Sequence, residues 1–205
     1  MIGKDDDGSV ARRPGRPEGE GRSVLWRRLD RPGFEFCRLS FRTEGPQLAG
    51  SAVFAEGGLP VRLSYRVACD GGWRTVSAWI EGDCGNRTVR HAIAVDEARV
   101  WRVDGRELAE LAGLADLDLS FSPCTNLLSI RRLNLAVGES AAVTSARLRL
   151  LPDLAVEPLE QVYRRTGESR YRYEAPTFGY RAELDLNAAG FVRNYPGLWS
   201  LEAER

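Results

Sequence analysis

Short runs of alternating apolar and polar residues, separated by turns rich in Gly, Pro and Asp, follow one another along this 205-residue chain. In the run 61–69 the odd-numbered residues from Val61 to Cys69 are apolar, whereas Arg62, Ser64 and Arg66 alternate with them. Side chains of a strand point alternately to opposite faces, so this pattern predicts a half-buried antiparallel strand. The chain is therefore expected to be mainly β.

The turns between these runs have the residues that tight hairpins require. Asp104-Gly105 is the strongest short hairpin signal, and Glu44-Gly-Pro46 and Glu56-Gly-Gly58 are of the same kind. About fifteen strand-like runs can be counted, far above the usual share of strand. An antiparallel sheet of that length must curl or close on itself.

One stretch, residues 116–133, has the only convincing helix signal. Ser122 can cap a helix and Pro123 suits its first position, which predicts a helix from Ser122 to Leu133. Its leucines and isoleucine supply apolar surface on more than one side, so the helix should be buried nearly all round. If the sheet curls around something, this helix is the candidate.

Length and charge limit the remaining possibilities. Residues 1–23 have hardly any large apolar side chain and are expected to form a disordered tail, followed by a single domain over 24–205. The chain has 29 basic and 29 acidic residues, so no net field favours nucleic acid or an anionic membrane. No apolar run is long enough to span a bilayer and no signal segment follows Arg12-Arg13, which predicts no membrane insertion and a cytoplasmic location.

The cysteines and the single histidine give no metal site. The four cysteines stand far apart and are expected to be free thiols: Cys37, Cys69, Cys84 and Cys124. His91 alone cannot form a histidine cluster. No nucleophile elbow, phosphate loop or dinucleotide fingerprint is present, so no catalytic residue, metal or cofactor is predicted.

Charged residues gather around the predicted helix. Asp116 and Asp118 lie two apart, and Arg131 and Arg132 follow one helix later, with Asn126 between them. Charges beside a buried helix must be paired or hydrogen-bonded, which favours a structural polar network. The alternative is an acid–base pair formed by Asp116 and Asp118. The closing turn Tyr195-Pro-Gly-Leu-Trp199 could similarly be a ligand lid or a plug for the end of the sheet.

Five blocks follow one another between Leu25 and about Trp199: Trp26-Arg-Arg-Leu-Asp30, Asp116-Leu-Asp-Leu-Ser-Phe-Ser-Pro-Cys-Thr-Asn126, Ile130-Arg-Arg-Leu133, Leu159-Glu-Gln-Val-Tyr163 and Tyr195-Pro-Gly-Leu-Trp199. Together, and in this order, they resemble the family named Putative glycolipid-binding. At Ser122, Cys124 and Ser129 the chain departs from the Thr, Ala and Pro expected in relatives. The resemblance implies a spiral β-roll, in which a many-stranded sheet wraps around one helix, found as a homodimer and loosely similar in shape to lipoprotein-localisation carriers.

Together with the resemblance, the sheet suggests a lipid or glycolipid binder without catalysis. Acyl chains would lie on the apolar concave face, and arginine and aromatic side chains would hold the head group. The expected ligand-binding residues are Arg62, Tyr65, Trp73, Arg74, Trp79, Gln161, Tyr163 and Arg164. Two other functions stay open: a glycan- or lipid-acting enzyme that uses Asp116 and Asp118, and a structural module that dimerises through exposed aromatics or a sheet edge.

Overall fold

The computed structural model describes residues 21–151 and 153–205, which contain fifteen β-strands, one α-helix and two short 3-10 turns. Residues 1–20 of the expected tail lie outside the described residues. The helix α1 is Asn126–Leu133. The strands are β1 Arg22–Arg28, β2 Gly33–Phe41, β3 Pro46–Glu56, β4 Leu59–Cys69, β5 Thr75–Cys84, β6 Arg87–Val95, β7 Trp101–Val103, β8 Arg106–Glu107, β9 Asp116–Leu119, β10 Ser140–Arg149, β11 Ala155–Arg165, β12 Arg170–Ala175, β13 Tyr180–Leu186, β14 Val192–Tyr195 and β15 Trp199–Glu204.

All fifteen strands belong to one sheet with the order β8-β7-β6-β5-β4-β3-β2-β1-β15-β14-β13-β12-β11-β10-β9. The first and last strands pair at its centre, and antiparallel hairpins lead outward in each half, except that β9 at one edge runs parallel to β10. The prediction of a long, mostly antiparallel sheet is confirmed. The Asp104-Gly105 hairpin is confirmed too: both residues have positive φ, 52° and 81°, as a two-residue turn of this type requires.

Among the strands of residues 21–151 and 153–205, only β9 and β10 are parallel neighbours, and the helix lies in the connection between them. Parallel strands need a crossover, and here the crossover passes inside the curled sheet. Every residue from Phe121 to Ile130 is buried. The ring of Phe121 stacks on Phe54 of β3 at 6.0 Å and meets Tyr65 of β4 at 5.9 Å. The expectation of one buried helix inside the sheet is therefore confirmed.

The helix begins later than predicted, at Asn126 instead of Ser122. The Ser122 hydroxyl accepts a hydrogen bond from the Cys124 N–H, so it closes a local turn two residues long. Thr125 does not cap the helix either, because its hydroxyl accepts the Leu119 N–H. The predicted end at Leu133 is correct, and Asn134 stops the helix in a left-handed conformation with φ 44°.

Side chains from the first half of the sheet tie it to the chain entering β9. The Arg99 guanidinium donates to the carbonyls of Thr75, Leu114 and Ala115 at 2.7–3.1 Å. The Thr75 hydroxyl accepts the Leu117 N–H at 3.0 Å. These bonds join the two halves of the sheet across its interior and fix β9 beside the helix.

Candidate functional site

A pocket of about 290 Å³ opens where the chain enters the helix. We call it the tyrosine pocket. One wall consists of β9 and the segment leading into α1, and the other of strands β12 to β15 with the turn before β13. It is lined by Asp118, Leu119, Ser120, Ser122, Pro123, Asn126, Arg147, Leu159, Tyr173, Ala175, Phe178, Tyr180, Tyr195, Leu198 and Trp199. Aromatic rings and a few polar groups of both charges therefore share one concave surface.

Three tyrosines from three different strands form the aromatic part. The ring centroids of Tyr173, Tyr180 and Tyr195 lie 5.9–6.3 Å from one another, with interplanar angles of 32–66°. Tyr173 and Tyr195 are buried, whereas Tyr180 is half-buried at the opening. Tilted rings of this kind present both a face and an edge to a ligand. Tyr195 and Trp199 come from the closing turn that the sequence left open as a lid or a plug.

Asp118 is the carboxyl group of this pocket. Its Oδ2 accepts a hydrogen bond of 2.5 Å from the Gln161 amide, and within the described residues no hydrogen bond reaches Oδ1. Burial raises the pKa of Asp118 to about 6, while the Gln161 bond and the nearby Arg147 oppose that shift. A half-buried carboxyl with one oxygen unoccupied can accept a hydrogen bond from a ligand hydroxyl.

Asp116, two residues earlier, has a different environment. It is buried, and both of its oxygens accept hydrogen bonds from Arg132, at 2.9 and 2.6 Å. Ser129 donates a third bond at 2.8 Å. The structure therefore brings Asp116 together with Arg132 but not with Arg131. The acid–base pair considered from sequence would have one member, Asp116, sealed inside the roll.

The other two residues of the expected polar network are also placed apart. The Asn126 amide donates to the Tyr163 hydroxyl at 2.9 Å. Arg131 points away from β9, donates to the Ala189 carbonyl, and lies 5.9 Å from the ring centroid of Trp73. The expected network is thus divided into separate contacts along the helix.

Glu35 was missed by the sequence reasoning, although it lies directly behind the pocket. Its side chain is fully buried and accepts hydrogen bonds of 2.5 Å from the Tyr65 and Ser122 hydroxyls. Burial raises the pKa of Glu35 to about 8. Its Oε2 accepts no hydrogen bond from the described residues, and the buried Nη1 of Arg28 donates none to them. Ser122 thereby connects a buried carboxyl to the pocket wall.

Sequence signals for Glu35 did exist. In β2 the buried positions are Glu35, Cys37 and Leu39, whereas Phe34 and Phe36 are exposed on the outer face. Glu35 lies on the same face of the strand as the apolar Cys37 and Leu39, which indicates that its carboxyl group faces the core. Only the fold could supply its partners, since Tyr65 lies on β4 and Ser122 precedes the helix.

Three of the expected ligand-binding residues lie on the inner face of the sheet. Tyr65, Gln161 and Tyr163 are all buried. Gln161 bonds to Asp118, to the Tyr173 hydroxyl at 3.0 Å and to Ser145 at 2.9 Å, so it orients two residues of the tyrosine pocket. These three residues stand behind the pocket wall and do not line the pocket.

The other five lie elsewhere on the molecule. Arg62, Trp79 and Arg164 are exposed on outward-facing strand positions, and Arg62 pairs with Asp83. Trp73 and Arg74 belong to the turn before β5, where Arg74 pairs with Asp70. The structure does not bring these five together with the pocket. Their role in ligand binding stays a prediction.

Two features are absent from the described residues. In residues 21–151 and 153–205 no helix is long and apolar enough to cross a membrane. The same part of the chain contains no group of three or more His, Cys, Asp or Glu residues arranged to hold a metal ion. All four cysteines are buried free thiols, as expected.

The comparisons with known proteins agree with this architecture. The model of the family described as Putative glycolipid-binding matches residues 23–200. The crystal structure of a DUF1089 family protein from Pseudomonas aeruginosa is similar, with a TM-score of 0.66, 26% sequence identity, and coverage of 95% of this chain and 99% of that chain. No curated protein matches significantly. The family match spans nearly all of the described domain, and the chain therefore belongs to the Putative glycolipid-binding family.

Proposed function

We propose that this protein binds a glycolipid without catalysis and holds the sugar of the head group in the tyrosine pocket. One observation carries the proposal: in a pocket of about 290 Å³, tyrosine rings stand opposite a carboxyl, an arginine and an amide. Sugars combine apolar C–H faces with hydroxyl groups. Aromatic rings pack on those faces, and Asp118, Arg147 and Asn126 supply acceptors and donors for the hydroxyls.

The pocket differs from the surface expected from sequence. The concave face of the sheet was expected to hold acyl chains, but its side chains pack against the segment from Phe121 to Ile130. Leu63 and Ile80, for example, are fully buried there. In our proposal the head group enters the tyrosine pocket, and the lipid chain leaves through the opening beside exposed Phe178.

Saturation-transfer NMR and calorimetry with methyl glycosides of glucose, galactose and mannose, and with octyl glucoside below its micellar concentration, test the proposal. We expect Tyr180→Ala to weaken the binding of whichever sugar binds by about tenfold, since an aromatic contact contributes about 0.5–1.5 kcal/mol beyond its buried area. Tyr180 is half-buried at the pocket mouth, so its loss should leave the fold intact.

Trp79→Ala is the matched control, because Trp79 is a partly exposed ring on the outer face and was itself expected to bind ligand. If Trp79→Ala abolished sugar binding while Tyr180→Ala had no effect, the site would lie on the sheet face and the tyrosine pocket would be rejected. If none of these glycosides bound, the proposal that the pocket holds a sugar would be contradicted.

The environment of Asp118 favours a second candidate, a glycan-acting enzyme with this residue as general acid. Its raised pKa, about 6, is in the range that suits such a role. Release of nitrophenol from a panel of nitrophenyl glycosides, lost in Asp118→Asn, would support this candidate. If no glycoside in the panel were hydrolysed, the proposal of glycolipid binding without catalysis would be retained.

The homodimer implied by the family resemblance stays a prediction. Light scattering of the full chain tests it directly, since a dimer would have about twice the 22.8 kDa mass of one chain.

A further inference from the structure

Two adjoining cavities lie at the opposite end of the helix from the tyrosine pocket. The larger, about 590 Å³, lies between the helix end, the β11–β12 turn and the β13–β14 loop. The smaller, about 480 Å³, lies between that loop and the first two strands. Arg131, Asn187, Ala188 and Glu204 line both. We call the two cavities together the arginine mouth.

Charge is concentrated at this mouth, although the whole chain is balanced. Two glutamates, Glu168 and Glu204, line it. The arginines outnumber them and give a positive excess that favours an anion: Arg22, Arg131, Arg165, Arg193 and Arg205. Glu204 is also engaged by the Asn187 amide at 2.7 Å.

Several of these arginines can reach a ligand. Arg22 and Arg193 are exposed, and neither has a side-chain hydrogen bond or ion pair within the described residues. Arg165 donates to the carbonyls of Leu135, Gly167 and Glu168, which fix its position without neutralising its charge. A guanidinium donates in a planar fork that suits carboxylate and phosphate oxygens.

Gly190 in the β13–β14 loop holds the centre of the mouth close to the helix. A Cβ at this position would lie 2.8 Å from Leu127 and 3.0 Å from the Arg131 Nε, and the φ of 95° also disfavours other residues. The loop therefore packs directly against Arg131, and the Ala189 carbonyl accepts a hydrogen bond from the same guanidinium. The position of Arg131 between the two cavities is thereby defined by the loop.

Each cavity also has apolar lining residues, which we call the apolar floor. Ile130, Tyr171 and Leu186 line the larger one, and Val24, Leu39 and Phe41 line the smaller one. Most of these side chains are buried in the core. Arginines and apolar side chains that line the same cavities match a ligand that has an anionic group on an apolar chain.

We propose that the arginine mouth binds an anionic amphiphile, with its phosphate or carboxylate at Arg193 and Arg131 and its chain on the apolar floor. This site is separate from the tyrosine pocket and does not depend on sugar binding there. The same chemistry could come from an acidic lipid or from a free oxyanion, and the probes below distinguish these two sources.

Calorimetric titration of the full chain with octyl phosphate, octanoate and inorganic phosphate tests the proposal. We expect octyl phosphate or octanoate to bind more tightly than inorganic phosphate, with an affinity that falls as salt is raised. Arg193→Glu should weaken binding of the amphiphile by about tenfold or more, because it replaces a charge-assisted donor with a repelling group. Arg66→Glu is the matched control: Arg66 is exposed on β4, outside the mouth, and should leave the affinity unchanged.

Binding of octyl phosphate that is equal in Arg193→Glu and in the unchanged protein would overturn the proposal. Equal affinity for inorganic and octyl phosphate would overturn the role of the apolar floor. Tyr180→Ala separates the two sites, since we expect it to leave octyl phosphate binding intact and to weaken octyl glucoside binding, whereas Arg193→Glu should do the reverse. If one of these two variants does not show the expected change, the other variant still tests the other site.

Discussion

The two ends of the helix meet the same sheet but have opposite chemistry. At its beginning, the tyrosine pocket gathers aromatic rings and a carboxyl, with the buried Glu35 behind its wall. At its end, the arginine mouth carries a positive excess over an apolar floor. The first end can satisfy the hydroxyls of a neutral ligand, and the second end suits an anion. A roll with one helix thus offers two different surfaces from one crossover connection.

The Asp116–Arg132 ion pair lies between the two ends and ties the last turn of the helix to β9. Asp116→Ala should cause the largest loss of stability, about 3 kcal/mol in the free energy of unfolding, because it leaves Arg132 and Ser129 without their acceptor. Chemical denaturation measures this loss. Glu202→Ala, which removes the exposed partner of Arg27, is the control and should cost less than about 1 kcal/mol. Equal losses in the two variants would show that the buried pair does not fix the helix.

Glu35, at the beginning of the helix, should make the free energy of unfolding depend on pH. Its pKa is about 8 in the folded protein and 4.5 ordinarily, so between these values the folded state holds a proton that the unfolded state has released. The free energy of unfolding should therefore fall as pH rises from 4.5 to 8. Glu35→Gln imitates the protonated group and should remove this decline. Relative to the unchanged protein it should gain up to about 4 kcal/mol between pH 5 and pH 9, at about 1.4 kcal/mol per pKa unit.

Denaturation at pH 5, 7 and 9 compares the two proteins, with Asp83→Asn as an exposed control on the outer face. If the unchanged protein and Glu35→Gln kept parallel pH profiles, Glu35 would be ionised in the fold. In that case burial would not raise the pKa of Glu35 as described above.

Asp118 should give a smaller effect at lower pH. Its pKa is raised from 3.8 to about 6, so the free energy of unfolding should fall as pH rises through this range. Asp118→Asn should be more stable than the unchanged protein by up to about 3 kcal/mol at pH 7.5, and the gain should become small below pH 4. Carboxyl-carbon NMR titration measures the pKa itself; a value near 4 would remove the chemical difference between Asp118 and an ordinary surface aspartate.

Much of the fold could be predicted because its signals are local. The alternation from Val61 to Cys69 and the Asp104-Gly105 turn each depend on a few neighbouring residues. The start of the helix could not be fixed in this way. Ser122 looked like a helix cap, but its hydroxyl serves Glu35, which is 87 residues away in sequence. The contact with the distant Glu35, and not the local sequence, therefore determines the role of the Ser122 side chain.

The binding surfaces depended still more on the fold. Tyr173, Tyr180 and Tyr195 lie on three strands, and nothing local in their sequence brings them to one side of Asp118. The expectation that residues on the sheet face, such as Arg62 and Trp79, bind the ligand followed from residue type alone.

The sequence by itself determined a long antiparallel sheet, its turns and a single buried helix, because side-chain alternation and turn chemistry act over a few residues. The tertiary structure alone decided which carboxyl is sealed, which one opens to a pocket, and which arginines remain at the surface. Those outcomes depend on the pairing of β1 with β15 and of β9 with β10, which sets the groups surrounding each end of the helix. Burial and neighbouring charge, not residue type, then give Asp116 and Asp118 different chemistry.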